Sequence, residues 1–381
     1  MKICFICTEI FAWGKYGGFG RVTRTIGSEL VKKGLDVFAV VPRRQNQKEI
    51  EILDGIKVLS FPVQNPLYSI KLFRECDAHI YHSEEPSFLT YLAQKAMPAK
   101  IHLVTSRDPR NFGDWLQELL HPSKNIFQVL SNYLFENNPL VTKSVQNSDK
   151  VFYTAKCLKH KVKSKYKLKN EVEFLPTPIR VPVGQINKSK VPQVCFISRF
   201  DRRKRPEVFF KLAEKFPEVK FIAAGESRDK SYQKYLLSKF SHLKNLEMCG
   251  FISQFKDNKF KDILEKSWIF VNTSVREGLP NSILEAMAYK CALLSSVNPE
   301  SVASNFGIHV NNDDFQTGLR LLLENDNWKS LGAFGQQYVL ENYEFNKAID
   351  KHIQIYKMLL TDVTQNVKHP RFQRIFFGEY F

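Results

Sequence analysis

The sequence predicts an α/β protein of two Rossmann-like domains, each a parallel sheet flanked by helices. Three observations lead there. The chain has 381 residues, more than one ordinary hydrophobic core holds. Short apolar, β-branched runs such as Trp268–Ser274 alternate with stretches whose apolar residues recur at helical spacing. That is the pattern of parallel strands buried on both faces by crossover helices. Finally, one plan of strand, anion-binding turn and helix returns in both halves, with no repeat of short period.

Composition narrows the class. Apolar residues make up 43% and charged residues 25% of the chain, the balance of a globular protein. No run reaches the ~18 apolar residues of a membrane span. Met1–Cys7 reads as a first strand, too short for a signal-peptide core. The seven cysteines are scattered, mostly inside apolar runs, and read as buried free thiols in a reducing, cytoplasmic compartment. Cys4 and Cys7 form a C-x-x-C, but on a strand they point to opposite faces. No second pair follows at zinc spacing, so no metal site is expected. The net charge of +17 asks for an anionic partner, unless it is a plain compositional bias. No zinc-finger spacing, RNP-type aromatic run or basic region with heptads is present, which sets nucleic acid aside. An anionic membrane surface and anionic substrates remain.

The elements follow in order. After the first strand comes a loop with Gly14, Gly17, Gly18 and Gly20, then a helix over Arg21–Lys33 ending at Gly34. Glycines between strand and helix let backbone approach a ligand closely. The spacing is not G-x-G-x-x-G, so a nicotinamide cofactor is not expected. Strands follow at Asp36–Val41, Lys57–Phe61 and Ala78–His82, the last running into Ser83-Glu84-Glu85-Pro86. Lys100–Asp108 is a strand entering a turn that carries Arg107. Asp108 and Arg110 either join Arg107 in a site or pair on the surface. Lys150–Ala155 is the last strand of the first half. Lys156–Lys169 then places Leu158, Val162 and Tyr166 every four residues among seven lysines, an amphipathic helix whose lysine face is either solvated or docks on anionic lipid. Pro176, Pro178 and Pro182 stiffen a crossing segment.

The second half restarts with a strand, Gln193–Ser198, and a cationic turn, Arg199-Phe200-Asp201-Arg202-Arg203-Lys204-Arg205, before a helix over Glu207–Lys215. Cations on a loop after a parallel strand make an anion site at the sheet's carboxyl edge. Val219–Gly225 and Leu246–Phe251 are further strands. The centre of the chain is Arg276–Ala288. Glu277, Gly278, Leu279, Pro280, Asn281 and Ser282 form a turn, and Ile283, Leu284, Met287 and Ala288 fall at helical spacing. Asn281 or Ser282 is placed to cap this helix, and its N-terminal N–H groups to face an anion. Glu277 sits on the turn and Glu285 in the expected first helical turn. Either carboxylate alone also suits dipole balance; the pair, eight residues apart and framed by Gly and Pro, points to a ligand. Cys291–Ser296 and Gly307–Val310 are the last strands, followed by helices over Asp314–Glu324, Trp328–Leu340 and Asn346–Leu360, and by a tail ending Phe376-Phe377-Gly378-Glu379-Tyr380-Phe381.

Glu277 and Glu285 resemble the Glu-x7-Glu signature of retaining, nucleotide-sugar-dependent glycosyltransferases of family 4, which have the GT-B fold. The resemblance implies two Rossmann-like domains with parallel sheets facing across a cleft. It places an acceptor-side domain at 1–178, joined by 361–381, and a donor domain at 179–360. It implies that Glu277 touches the donor sugar, Glu285 the ribose, and the backbone of Gly278, Leu279, Pro280, Asn281 and Ser282 the diphosphate. Arg199 and Lys204 match the Arg and Lys that neutralise that diphosphate, with Ser198 where relatives have Gly. Gly17 and Gly18 are similar to the glycine loop that faces the donor, and Phe251 marks the backbone that meets the base. His82 matches a strand-ending His, with Glu84 where a second His is common. Arg107 stands where relatives carry His; an arginine stays protonated and cannot serve as a base, but it can hold a phosphate or an anionic acceptor.

What the resemblance implies for function is a cytoplasmic or peripheral hexosyltransferase of surface polysaccharide or glycolipid synthesis. It would use a nucleotide-sugar donor and a glycan or lipid-linked acceptor, with no cofactor or required metal. A sugar-nucleotide epimerase of the same fold and a catalytically silent glycan- or lipid-binding relative are the alternatives. The epimerase would need acid and base carboxylates in the first domain; the silent relative is favoured by Arg107.

Overall fold

The computed structural model describes residues 1–10, 17–44, 47–121, 126–255 and 258–365. Along the first half run Lys2–Cys7 (β1), Gly18–Lys32 (α1), Asp36–Pro42 (β2), Ile50–Leu53 (β3), Ile56–Phe61 (β4), Ser69–Cys76 (α2) and Ile80–Glu84 (β5). They continue with Phe88–Ala96 (α3), Ile101–Ser106 (β6), Phe112–Leu120 (α4), Ile126–Glu136 (α5), Pro139–Gln146 (α6), Lys150–Tyr153 (β7), Lys159–Tyr166 (α7) and Glu173–Phe174 (β8). The second half has Gln193–Ile197 (β9), Pro206–Lys215 (α8), Lys220–Ala224 (β10), Lys230–Phe240 (α9), Leu246–Gly250 (β11), Lys259–Lys266 (α10), Ile269–Asn272 (β12), Asn281–Ala288 (α11) and Ala292–Ser295 (β13). It closes with Val302–Asn305 (α12), Gly307–His309 (β14), Phe315–Leu323 (α13), Asn327–Asn342 (α14) and Phe345–Gln365 (α15).

Among the described residues the strands form two sheets, ordered β3-β4-β2-β1-β5-β6-β7-β8 and β11-β10-β9-β12-β13-β14. Every pairing is parallel except β3 with β4, a hairpin whose Asp54 and Gly55 both take positive φ. The apolar runs explain the sheets. Cys4, Ile6, Val40, Leu59 and Tyr81 fill one face of the first sheet under α2 and α3. Val194, Phe196, Phe221, Val271 and Leu294 do so in the second, with Phe209 and Phe210 of α8 above them. Each such side chain, fully buried, contributes about 1.5–3 kcal/mol. Cys4, Cys7, Cys76, Cys195 and Cys291 are buried and free, Cys249 half-buried and Cys157 exposed.

The chain divides into two compact units. Among the described residues, one holds those of 1–109, 131–178 and 346–365; the other holds those of 110–130 and 179–345. Two segments fall on the other side of the expected division. The expected division at 179–360 puts most of α15 in the second domain, yet its buried His352 and Tyr356 belong to the first unit. It puts residues 110–130 in the first domain, yet they belong to the second unit, where α4 ion-pairs with Arg203 and Arg276. The expected tail over 366–381 lies outside the described residues, as does Gly14. α7 is shorter than the predicted Lys156–Lys169 helix, because Lys167 turns left-handed at φ 51° and ends it. Its Leu158, Val162 and Tyr166 are buried as the periodicity requires.

Candidate functional site

In an open parallel sheet the chain turns in opposite directions from two adjacent strands at one point, and the loops there diverge and leave a crevice. In the second unit this point lies between β9 and β12. The loop after β9 carries Arg199 and Lys204; the loop after β12 carries Glu277. Hydrogen bonds to backbone carbonyls staple them together. The Val275 N–H donates to the Arg203 carbonyl at 3.0 Å, and the Thr273 hydroxyl donates to the Lys204 carbonyl at 2.6 Å. Arg205 returns the contact, its Nε donating to the Thr273 carbonyl at 2.6 Å.

This stapling brings Lys204 Nζ and Glu277 Oε1 into an ion pair with both side chains largely buried. The Ser274 hydroxyl donates to the same carboxylate oxygen at 2.9 Å. Arg199 lies on the same loop, one-third exposed, with Nη2 3.4 Å from Asp201 Oδ2. Behind the loop, Gly225 (φ 150°) packs so tightly that a Cβ would lie 1.8 Å from the Ser198 carbonyl oxygen. Only glycine fits there. The arginines next to the central pair are held by α4. Arg276 Nε meets Asp114 Oδ1 at 2.8 Å, and Arg203 Nη1 meets Glu118 Oε2 at 3.5 Å.

The helix start differs from the expected one. Pro280 is the N-cap of α11, and Asn281 and Ser282 are its first two residues. Proline at φ −65° and ψ 135° sets the entry angle instead. Glu285 consequently lies in the second turn, half-buried, rather than in the first. Burial, then Glu265 and then Glu285 push the Tyr289 hydroxyl up to about 12. Gly278 and Leu279 are half-buried on the turn. Phe251 lies just past β11, following Gly250 in left-handed backbone (φ 66°).

In the first unit the corresponding point lies between β1 and β5. The helix after β1 begins at Gly18, three residues before the expected Arg21, with Gly17 as N-cap. The anion at this helix start is the chain's own: Glu9 Oε1 accepts from the N–H groups of Gly17 at 3.0 Å and Gly20 at 3.4 Å. A phosphate at Gly17 and Gly18 would have to displace that carboxylate.

Arg107 does not face an open anion site. Its guanidinium is buried, donating from Nε to Glu84 Oε2 at 2.7 Å and from Nη1 to Thr177 Oγ1 at 3.2 Å, with Nη2 also on Glu84. The physical reason is Glu84, a carboxylate fully enclosed at the end of β5, which needs a cation. Glu84 Oε1 lies 4.0 Å from His82 Nε2. His82 bonds Thr105 Oγ1 at 2.7 Å and Tyr356 Oη at 2.8 Å, and Tyr356 reaches His352 at 3.2 Å. Burial, then Arg107, lowers His82 to about 3; burial, then His82, does the same to His352. Both imidazoles are neutral near pH 7. Glu85, left-handed at φ 72°, accepts the N–H groups of Arg107 at 2.6 Å and Asp108 at 2.8 Å. Burial raises its carboxyl above the usual range. Arg110 stacks on the Trp115 ring at 4.5 Å.

Sequence reasoning missed Ser274, Asp114 and Glu118. The acidic pair at i, i+4 on α4 carries the same signal as an ordinary solvated face, so periodicity could not single it out. Among the described residues no three His, Cys, Asp or Glu side chains group as a metal site.

Two α/β units of parallel strands, each with its loops diverging at a switch point, define a GT-B fold, and solved structures agree. Sucrose-phosphate synthase from Thermosynechococcus elongatus superposes with a TM-score of 0.73 at 15% identity, over 95% of this chain and 100% of that one. The pneumococcal O-GlcNAc transferase GtfA in complex with UDP and GlcNAc gives 0.69 at 8% identity, over 94% and 99%. Anabaena HepE in complex with UDP-glucose gives 0.66 at 10% identity, over 95% and 100%. Within that class, residues 183–337 match the family of glycosyl transferases group 1, and residues 2–99 match the starch synthase catalytic domain. An uncharacterised glycosyltransferase of Methanocaldococcus jannaschii is 32% identical over 88 residues, 23% of this chain. The match spans only 20% of that relative's length.

Proposed function

We propose that this chain is a retaining glycosyltransferase of family 4 that moves a hexosyl group from a nucleoside-diphosphate sugar to a glycan or lipid-linked acceptor. The observation that carries the reading is the Lys204–Glu277 pair beside Arg199, assembled at a switch point from two separate loops. Arg199 and Lys204 offset the charge that develops on the leaving diphosphate, the kind of fixed electrostatic stabilisation that lowers such a barrier most. Glu277, oriented by Lys204 and Ser274, accepts hydrogen bonds from the sugar's hydroxyls. Glu285 accepts from the ribose, and Phe251 lies by the base. The departing phosphate takes the acceptor hydroxyl's proton as the new bond forms on the same face, so no side chain becomes a covalent nucleophile. The two cations supply the charge that a divalent ion supplies elsewhere, and transfer is expected to survive chelation.

The chain acts on the cytoplasmic side of a bacterial membrane, in surface polysaccharide or glycolipid synthesis. The net charge of +17 and the lysines around α7 support attraction to anionic lipid. Lys159 and Lys163 share Glu171 at 3.2 and 2.6 Å, which reduces that face's charge. HepE and GtfA are described in complex with UDP or UDP-glucose, which makes UDP the first nucleotide to try. The test is a thermal-shift screen over UDP, GDP, ADP and CMP with their sugars, followed by product analysis with the sugar that binds. Transfer with retained anomeric configuration is the expected result. An epimerised free nucleotide sugar, or binding without turnover on any acceptor, would replace this reading with one of its two alternatives.

A further inference from the structure

The loops that carry Arg199, Lys204 and Glu277 follow the carboxyl ends of β9 and β12. At the opposite end of the same sheet lies a cluster with no part in them. Cys291 precedes β13, Ser267 and Trp268 precede β12, and Cys195 sits within β9. Both cysteines are fully buried. A strap at residues 187–189 closes over this end. The Ser189 N–H donates to the Lys266 carbonyl at 3.1 Å, and the Trp268 indole N–H donates to the Ser189 carbonyl at 2.9 Å. Held this way, the strap turns the half-buried Lys188 inward, and Lys188 Nζ donates to Cys291 Sγ at 3.4 Å.

The nitrogen and the sulfur share their surroundings. Lys188 Nζ also donates to the Leu264 carbonyl at 3.2 Å and to the Ser267 carbonyl. Cys291 Sγ lies 3.3 Å from the first of those oxygens and 3.2 Å from the second. Two fixed backbone acceptors therefore hold the two atoms face to face. Burial opposes a charge on the Cys291 sulfur, but the Cys195 thiol and then Lys188 outweigh it and bring the group down to about 7. Cys195 itself is pushed up by burial. Cys4 and Cys7, also buried, are pushed up too, so burial alone does not make such a thiol. The thiolate is the form that reacts with peroxide.

We propose that Lys188 and Cys291 form an oxidative modification site, at which peroxide joins Nζ to Sγ through one bridging oxygen. The balance closes with two molecules of hydrogen peroxide. The first meets the thiolate: its O–O bond breaks, one oxygen bonds to sulfur as a sulfenic acid, and hydroxide leaves. The second takes two electrons from the lysine nitrogen as that nitrogen bonds to the sulfenic oxygen. Protons from the ammonium and the sulfenic acid go to the departing oxygens. The ammonium–thiolate pair and two peroxides thus become one N–O–S bridge and three waters. Sulfur and nitrogen each lose two electrons, and each O–O bond gains two. A gap of 3.4 Å has less to close for an oxygen-bridged link than for a direct N–S bond. The link fastens the strap to the start of β13 and leaves the loops at the other end of the strands untouched. It goes beyond the proposed transfer reaction and does not depend on it.

The test is intact-mass measurement with peptide mapping after the folded chain is treated with hydrogen peroxide. A Cys157→Ser/Cys249→Ser background removes the exposed and half-buried thiols. Lys188→Gln and Cys291→Ser are made in that background, and the background chain is also treated in urea. The expected product gains one oxygen and loses two hydrogens. It maps to a cross-link between the Lys188 and Cys291 peptides and is reversed by dithiothreitol. It is absent from both variants and from the chain in urea. Lys188→Gln, with a melting temperature near that of the background, carries the comparison if Cys291→Ser folds poorly. Loss of two hydrogens alone, mapped to Cys195 and Cys291, would be a disulfide and would overturn the proposal. So would oxygen added to Cys291 with Lys188 unmodified, the same cross-link formed in urea, or a folded chain that peroxide leaves unchanged.

Discussion

Lys204 and Glu277 stand on different loops of the second sheet, yet their side chains form an ion pair that Ser274 completes. The pair fixes a cation and a carboxylate at one point before any ligand arrives, which is the preorganisation that anionic leaving groups reward. Arg199→Ala and Lys204→Ala should each slow transfer by about 10²–10³ at saturating donor, with melting temperatures close to wild type. Near-normal turnover in both variants would remove the donor site from this unit.

Glu285→Ala should weaken nucleotide binding by about 1.5–3 kcal/mol, the worth of a hydrogen bond to a charged group, and leave the fold intact. Its place in the second turn of α11 makes dipole balance a poor alternative explanation. Calorimetry with the nucleotide found in the screen decides it; unchanged affinity in a folded variant would rule out the ribose role.

Arg107→Ala should act on stability. It would leave Glu84 as an uncompensated charge in a dry site, a loss of about 3–5 kcal/mol measured by urea denaturation. Replacing both partners, as Arg107→Met with Glu84→Leu, should recover most of that loss. A single variant that keeps wild-type stability but loses turnover would return Arg107 to the reacting centre.

Asp114→Asn and Glu118→Gln test the grip of α4 on the donor loops. Arg276 and Arg203 adjoin Glu277 and Lys204, so freeing them should loosen the central pair. Losing the Asp114 contact should cost about 1.5–3 kcal/mol of stability, with a smaller cost for the longer Glu118 contact, and nucleotide affinity should fall in both. Stability lost with affinity unchanged would make α4 a strut and nothing more.

Stability should fall as pH drops below about 6.5. His82 and His352 are held neutral, lowered to about 3 in the folded state. The unfolded chain therefore binds more protons across the window from about 6.5 to about 3, and folding free energy declines there by up to ~1.4 kcal/mol per pH unit for each histidine. Glu85, raised by burial from its ordinary value of 4.5, works the opposite way above that value, where the folded state holds a proton that the unfolded chain has lost. Denaturation midpoints at pH 7 and pH 5.5 should differ, and His82→Gln should reduce the difference. A pH-independent midpoint would show that the two imidazoles are not neutral as placed.

Sequence alone determined the layered α/β plan. Strand runs and helix faces are local patterns, written in the spacing of apolar residues, and nothing distant needs to be known to read them. It also made the segment around Glu277 legible, because Gly, Pro and two carboxylates between a strand and a helix restrict what the backbone there can do. Direction and partnership were decided only by tertiary structure. Arg107 looked like a residue for an external anion until Glu84 was seen enclosed beside it, and Gly17 looked open until Glu9 was found on its N–H. α4 gives the sharpest case. Its periodicity marks one apolar and one acidic face, and every local rule turns the apolar face inward. Arg203 and Arg276, far away in sequence, reverse it and leave Leu116, Leu119 and Leu120 exposed, because two partly buried guanidinium groups without carboxylates cost more than a stripe of exposed leucine.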